Sequence, residues 1–166
     1  MGSEGTRAFI GLGSNIEPRT EYLRSAIIEL RAMGDILKIS SVYETAPVGG
    51  VPQADYLNAV VELRTSLGPL ELVNRLKALE SAIGRAARPR WHEREIDLDL
   101  LFYGDRIMSS PELTLPHPEI QNRAFVLVPM AELQPDFIHP ILKKTIKDLR
   151  DEIEIVGVQK SNFVLP

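Results

Sequence analysis

The sequence holds no cysteine, which excludes disulfide bridges, thiolate metal sites and cysteine nucleophiles together. Long apolar runs are missing as well. Ala59-Val60-Val61 and the stretch from Leu98 to Tyr103, with Asp99 inside it, fall far short of a bilayer span. The opening from Met1 to Arg7 has no apolar core of the kind a secretory signal needs, so a cytoplasmic address is the expectation. Nor is positive charge in excess. Lys and Arg number 19 against 23 Asp and Glu, a net charge of −4, which speaks against nucleic acid or an anionic membrane as partner. Several motifs are absent too: Gly11-Leu12-Gly13-Ser14 lacks the lysine of a phosphate-binding P-loop, and Ile16 spoils a dinucleotide fingerprint. The three histidines, His92, His117 and His139, lack zincin spacing, and no G-x-S-x-G elbow occurs. What is present, 44% hydrophobic and 25% charged residues in a chain of 166, is the composition of one folded domain.

Periodicity supplies the elements. Ala8 to Gly13 reads as a short buried strand stopped by glycine. Leu23, Ala26, Ile27, Leu30 and Met33 recur at helical spacing from Arg19 onward, with Gly34 as the stop. Ile36 to Thr45 alternates as a single strand, Ala46 to Ala54 is a loop rich in Gly and Pro, and Tyr56 to Thr65 is a strand with Leu57, Ala59, Val61 and Leu63 facing one way. Past Ser66, read as a cap, Leu72, Leu76, Leu79 and Ile83 line one helix face. Glu95 to Phe102 is a further strand, followed by helices over 122–133 and near 145–152, while the tail from Ile153 shows no pattern. The order strand, helix, strand, strand, helix, strand predicts an α+β chain with a ferredoxin-like βαββαβ antiparallel sheet, helices packed on one face, and extra C-terminal helices. Such a fold hosts many activities and decides none of them.

The chemistry concentrates in one stretch. In Arg94-Glu95-Ile96-Asp97-Leu98-Asp99-Leu100-Leu101-Phe102, strand alternation sends Ile96, Leu98, Leu100 and Phe102 to one side and Asp97 and Asp99 to the other. Two carboxylates roughly 7 Å apart on a strand repel by about 2 kcal/mol at an effective dielectric near 20. Two readings stay open: incidental acids on a solvated strand face, or a site for a hard cation such as Mg²⁺, which takes one or two carboxylates and completes its shell with water and phosphate. Directly before them, this acidic chain places Arg85, Arg88, Arg90 and Arg94 around Trp91. That segment is either a solvated basic loop or a set of guanidinium forks for phosphate oxygens. Acids and arginines together form the layout that a magnesium-bound nucleoside triphosphate needs. Tyr56 and Asn58, two apart on the middle strand, share a face on which a flat heterocycle could stack and have its amide-like edge read. A tyrosine and an asparagine on a half-exposed strand are the plainer alternative.

These residues belong to a pattern. Arg94-Glu95-Ile96-Asp97-Leu98-Asp99-Leu100-Leu101 resembles the signature of the 6-hydroxymethyl-7,8-dihydropterin pyrophosphokinase family, and the likeness continues through Ile10-Gly11-Leu12-Gly13-Ser14-Asn15, Tyr43-Glu44-Thr45 with Pro47, Asp55-Tyr56-Leu57-Asn58-Ala59, Glu80 with Gly84-Arg85, Leu115-Pro116-His117-Pro118 and Asn122 to Leu127. The resemblance implies transfer of the β,γ-diphosphate of ATP to the pterin's hydroxymethyl group, a step of folate biosynthesis that leaves AMP. It implies that Asp97 and Asp99 hold two Mg²⁺ ions and are catalytic together with Arg85 and Arg94. It implies ATP contacts from Arg85, Trp91, Arg94, Leu100, Thr114, His117 and Arg123. For the pterin it implies Tyr56 and Phe125 as the sandwich, Asn58 with the backbone near Thr45 and Val48 at the edge, and contributions from Trp91 and Asp97, with Glu80 in support. The sequence departs from the family's pattern at His92-Glu93, before the signature arginine, and at Glu112. Residues 7–152 are expected to form a single domain with terminal extensions 1–6 and 153–166, acting as a monomer on small molecules. The rival expectations are a Mg²⁺-dependent nucleotide phosphohydrolase and a non-catalytic ferredoxin-like ligand-binding module.

Overall fold

A computed structural model describes residues 5–46, 54–84 and 95–165. In chain order the elements are β1 (Thr6–Ser14), α1 (Arg19–Leu30), β2 (Asp35–Ile39), β3 (Tyr43–Thr45), β4 (Tyr56–Thr65), α2 (Pro69–Ile83), β5 (Asp97–Tyr103), β6 (Met108–Ser109), β7 (Thr114–Leu115), α3 (Ala124–Leu133), α4 (Ile146–Asp151) and β8 (Val158–Lys160). The main sheet runs β5-β1-β4-β3-β8, and every pairing in it is antiparallel. β2 lies along the same edge of β4 as β3, opposite residues 61–64, where β3 takes 56–58. The two are halves of one interrupted strand.

That interruption corrects the single strand expected over 36–45. The Ser40 hydroxyl accepts the Val60 N–H at 2.9 Å, and at Ser41 both N–H and hydroxyl turn out of the ladder to Glu132 of α3. Serine side chains compete with the ladder for backbone partners, and here the Ser40 hydroxyl takes the Val60 N–H and Ser41 leaves the ladder, although the Ser40 N–H still donates to the Val60 carbonyl at 2.9 Å.

Both faces of the sheet are covered. On one, Ala8, Ile10 and Leu12 of β1, the odd-numbered apolar residues of β4, and Leu98 and Leu100 of β5 pack against the buried stripes of α1 and α2. On the other, Phe9, Val60, Leu101 and Phe102 pack against Val126, Leu127, Met130 and Leu133 of α3 and Ile146 and Leu149 of α4. The C-terminal helices are therefore the second outer layer. Phe102 joins them through a bulge: Phe9 pairs with Phe102 but Ile10 pairs with Leu100, so one residue of β5 is skipped. The extra residue reverses the alternation, and Phe102 leaves the side of Leu98 and Leu100 on which strict period 2 puts it.

Three other local readings change. α2 begins with Pro69 at its first turn, where a missing N–H costs nothing, and Gly68 rather than Ser66 is its cap. α1 ends at Leu30, short of Met33, and Gly34 is required because a Cβ there would lie 2.2 Å from the Arg64 carbonyl oxygen. The patternless tail supplies β8, pairing Val158 with Thr45 and Lys160 with Tyr43, and buries Leu165 in the first core. Among the described residues, no helix is long and apolar enough to cross a membrane.

Candidate active site

The second core occupies only half of its sheet face. Strand alternation carries Gly11 and Gly13 of β1, Tyr56 and Asn58 of β4, and Asp97 and Asp99 of β5 onto the other half of that face. Register then aligns them. Gly13 stands opposite Asp97 on one side and Asn58 on the other, and Asn58 stands opposite Tyr43, so one row crosses four strands as Asp97, Gly13, Asn58, Tyr43. One step along, Asp99 faces Gly11. Two strand spacings, about 10 Å, separate the carboxamide from the acids, with bare glycine backbone as the floor between them. The floor has to be bare: a Cβ on Gly13 would lie 2.8 Å from Asn58 Nδ2 and 3.4 Å from the Tyr56 ring.

The acids sit on β5, whose outer edge has no strand beside it among the described residues. Glu80, buried on the last turns of α2, satisfies that edge between the two aspartates by accepting the Leu98 N–H at 2.7 Å. Farther along, the Leu101 carbonyl accepts the His117 N–H at 3.0 Å, which draws the segment after β7 across the same edge. Between α2 and that segment lies a cleft of about 310 Å³, lined by Val73, Leu76 and Lys77 of α2, Leu98, Asp99 and Leu100 of β5, and Ser110 to Thr114 with His117 and Pro118. A cleft can reach Leu98, Leu100 and Asp99, which belong to opposite faces, only by wrapping the free edge.

Within the cleft, burial lowers the pKa of His117, opposed by the negative charge of Asp99 and helped by the positive charge of Arg123. Its Nδ1 accepts the Glu119 N–H at 3.2 Å, so the neutral ring carries its proton on Nε2 as a donor. Arg123, at the cap of α3, lies with its guanidinium carbon 5.5 Å from the centre of the Phe125 ring. Phe125 itself packs half-buried against the second core. On the far side of the glycine floor, Tyr43 is pushed up to about 12 by burial and by its 2.8 Å hydrogen bond to Glu132. It is a neutral wall of the row and not an acid or base near neutral pH.

The structure thus brings Leu100, Thr114, His117 and Asp99 to one cleft, and Thr45, Tyr56, Asn58 and Asp97 to one face of the sheet, Asn58 and Asp97 in the same row and the Thr45–Tyr56 pair beside it. Val48, Arg85, Trp91 and Arg94, together with Arg88 and Arg90, lie outside the described residues. Sequence reading missed Val73, Leu76 and Lys77 as cleft walls. Their helical spacing marks them only as one side of α2, and the side that meets β5 depends on how the two pack. It also missed Gly11 and Gly13 as the floor, because a glycine's value there comes from what stands opposite.

Metal fit follows from the donor set. Among the described residues no cluster of three or more acids and histidines could enclose an ion. Two carboxylates on one strand face, with Asp99 exposed, suit Mg²⁺ that arrives with phosphate oxygens already bound better than an ion caged by protein alone.

Fold and site together define a small α+β protein with a row of glycine, carboxamide and carboxylate on one sheet face and a cleft at the edge of the same sheet. Comparison with known proteins makes this specific. The pattern of the 7,8-dihydro-6-hydroxymethylpterin-pyrophosphokinase (HPPK) family matches residues 9–135, and the chain belongs to that family. A 2-amino-4-hydroxy-6-hydroxymethyldihydropteridine pyrophosphokinase of Synechocystis sp. is 44% identical over 153 residues, covering 91% of this chain and 78% of its own. The Aquifex aeolicus protein of the same name is 40% identical over 144 residues, 87% of this chain and 90% of its own. Among solved structures, wild-type HPPK-DHPS of Plasmodium falciparum superposes with a TM-score of 0.73 at 16% identity over 90% of this chain, a likeness of fold. This chain spans 45% of the length of that one.

Proposed function

We infer that this chain transfers the diphosphate of ATP to 6-hydroxymethyl-7,8-dihydropterin, yielding the pterin diphosphate and AMP in folate biosynthesis. One observation carries the reading: in a member of this family, a heterocycle-reading carboxamide and a pair of acids face the same way across a glycine floor about 10 Å wide, the span of a bicyclic ring with its side arm. The strand order, with β2 and β3 as one interrupted strand, supports the ferredoxin-like arrangement for the β1 to β5 core. The proposed domain is 7–152, with the extension 153–166 packed on its sheet edge and first core; it is proposed as cytoplasmic and monomeric, with small molecules as its partners.

In the proposed mechanism the pterin lies on Gly13 with Asn58 at its amide edge and Tyr56 and Phe125 on its two ring faces, which turns its hydroxymethyl group toward Asp97. The nucleotide takes the edge cleft, its base against the apolar walls from α2 and β5 and its phosphates toward Asp99. The hydroxymethyl oxygen forms a bond to the β-phosphorus as the bond from that phosphorus to the α,β-bridging oxygen breaks, AMP departs with the electron pair, and the hydroxyl proton is given up to solvent. Asp97 and Asp99 are proposed to hold two Mg²⁺ ions, which supply positive charge where negative charge builds on the phosphates. The neutral His117 offers a proton donor to a phosphate oxygen, and Arg123 a guanidinium; Arg85 and Arg94 are proposed to complete the clamp, and Trp91 and the backbone of Thr45 and Val48 to frame the ligands. Most of the rate is then positioning and electrostatics.

The test is incubation with ATP, Mg²⁺ and the reduced hydroxymethylpterin, with nucleotides resolved by chromatography. AMP and pterin diphosphate in equal amounts, formed only when pterin is present, are expected. Orthophosphate or pyrophosphate released without pterin would instead make the protein a phosphohydrolase, and ATP bound without turnover would make it a binding module.

A further inference from the structure

Tyr56 is the end residue of its strand. On the β1 side of β4 the ladder stops with Ser14 opposite Leu57, one residue short of Tyr56, and on the β3 side Thr45–Tyr56 is the last pair. Ladders fray at their ends, where fewer neighbours hold the backbone. The ring proposed to cover one side of the pterin therefore stands where β4 most needs support from outside the sheet.

Arg19, the first residue of α1, gives that support from the opposite face. Glu44 pairs with Leu57, whose side chain is buried in the first core, so Glu44 belongs to the helix side of the sheet, while Thr45 and Tyr56 belong to the side of the site. The Glu17 carboxylate orients the guanidinium: one oxygen accepts the Arg19 backbone N–H at 3.1 Å and the other accepts Nε at 2.8 Å. Nη1 then donates to Glu44 Oε2 at 3.0 Å and to the Asp55 carbonyl oxygen at 3.1 Å, with one N–H for each. Next to it the Ala54 carbonyl accepts Asn15 Nδ2 at 3.0 Å. One side chain thus ties the entry to α1, the end of β3 and the residue before β4 together.

We propose that Arg19 is a positioning residue for pterin binding: its guanidinium clasps the open end of the β3–β4 pair and holds the Tyr56 ring in place before the ligand arrives. The proposal rests on the reading of Tyr56 as a partner of the pterin's ring face, and it adds a group that acts from the far side of the sheet. A ring already fixed leaves less ordering to be done on binding. The planar fork of arginine suits the task, because it meets a carboxylate along one edge while another nitrogen serves two further acceptors. The clasp is selective for one substrate, since it grips β3 and β4, whereas the cleft proposed for the nucleotide lies along β5. With Glu44 44% exposed, water screens the ion pair and the effect is moderate.

The experiment compares wild type with Arg19→Met, Glu44→Leu, Tyr56→Ala and the double variant Arg19→Met/Tyr56→Ala. Pterin binding is titrated by fluorescence with Mg²⁺ and an ATP analogue whose α,β bridge is an uncleavable methylene, so the result does not depend on turnover. The analogue's own affinity, measured alongside, reports whether each variant is folded. Arg19→Met is expected to weaken pterin binding about fivefold and to leave the analogue's affinity within about twofold. Glu44→Leu, which cuts the clasp at its β3 end, is expected to weaken pterin binding about threefold. In the Tyr56→Ala background the loss from Arg19→Met should vanish, because the ring through which it acts is gone. A loss that persists without that ring would overturn the proposal and make Arg19 a general support of the fold. Wild-type pterin affinity in Arg19→Met, or in Glu44→Leu, would overturn it as well. Wild-type pterin affinity in Tyr56→Ala would remove Tyr56 from the ligand's face and the proposal with it. AMP formation by wild type is scored separately, so diphosphate transfer can fail while this result stands.

Discussion

Gly13 and Asp99 do opposite things for the site, one by having no side chain and the other by having a charged one. An alanine at position 13 must push its Cβ into Asn58 Nδ2, which the Leu12 carbonyl and the Thr45 hydroxyl hold in place. Gly13→Ala is therefore expected to raise the pterin KM about tenfold or more while leaving the ATP KM within about twofold, as steady-state assays varying each substrate will show. Asp99→Asn keeps the shape of the side chain and removes the charge. Turnover should fall by about 100-fold or more, the scale of losing one preorganised electrostatic partner. Because Asp99 is exposed and shares its strand face with Asp97, the thermal midpoint should not fall, since no packing is lost and one like-charge neighbour is neutralised. A large drop in midpoint with retained AMP production would assign Asp99 to the fold instead.

Elements are where pattern and outcome diverge, and the tail is the clearest case. Nothing in Ile153 to Pro166 alternates for long enough to read, yet Val158–Lys160 completes the sheet, Leu165 is buried in the first core, and Arg24 of α1 lies 4.9 Å from the centre of the Phe163 ring. A three-residue strand at a sheet edge has no periodic signature; its partner decides it. Ending the chain at Glu154 removes a buried leucine, a half-buried phenylalanine and the outer ladder of β3. The expected loss is about 5–10 °C in melting temperature by calorimetry, from roughly 2–3 kcal/mol of burial and pairing. Pterin affinity should weaken more than ATP affinity, because β3 carries Thr45 whereas the cleft proposed for the nucleotide lies at the opposite edge of the sheet. β5 makes the complementary point. Its alternation correctly puts Asp97 and Asp99 on one face, and it fails only at Phe102, past the bulge, because a skipped residue is a property of the pairing and leaves no mark in a single strand.

At the scale of the whole molecule, stability and pH are linked through a histidine remote from the acids. His139 is buried, its Nδ1 accepts the N–H groups of Ile141 and Leu142 at 3.2 and 3.1 Å, and its ring meets Phe102 edge-on at 5.5 Å. Burial lowers its pKa in the folded state below the usual histidine value. The unfolded chain then binds the extra proton first, so the stability His139 contributes is complete above about pH 6.5 and is lost as pH falls from there toward the folded pKa. His117 is shifted the same way by burial and adds a slope of the same sign. Urea unfolding at intervals from pH 7.5 to 5 should show stability decreasing over the lower part of that range. In His139→Gln the decrease should be shallower whatever the variant's stability at pH 7.5, and an unchanged slope would show that His139 titrates alike in both states.

The sequence by itself determined the alternation that carries Tyr56 and Asn58 to one side of β4 and Asp97 and Asp99 to one side of β5, because a strand has only two sides and its apolar partners claim one of them. It likewise determined the helical stripes of α1 and α2 and the likeness that names the family. Only tertiary structure decided that those two polar sides are the same face of one sheet, that Gly13 lies between them as a floor, and that Glu80 and the segment through His117 close the edge where the cleft forms. Those facts depend on strand order and register, which are relations between distant segments, and no window along the chain contains both members of the relation.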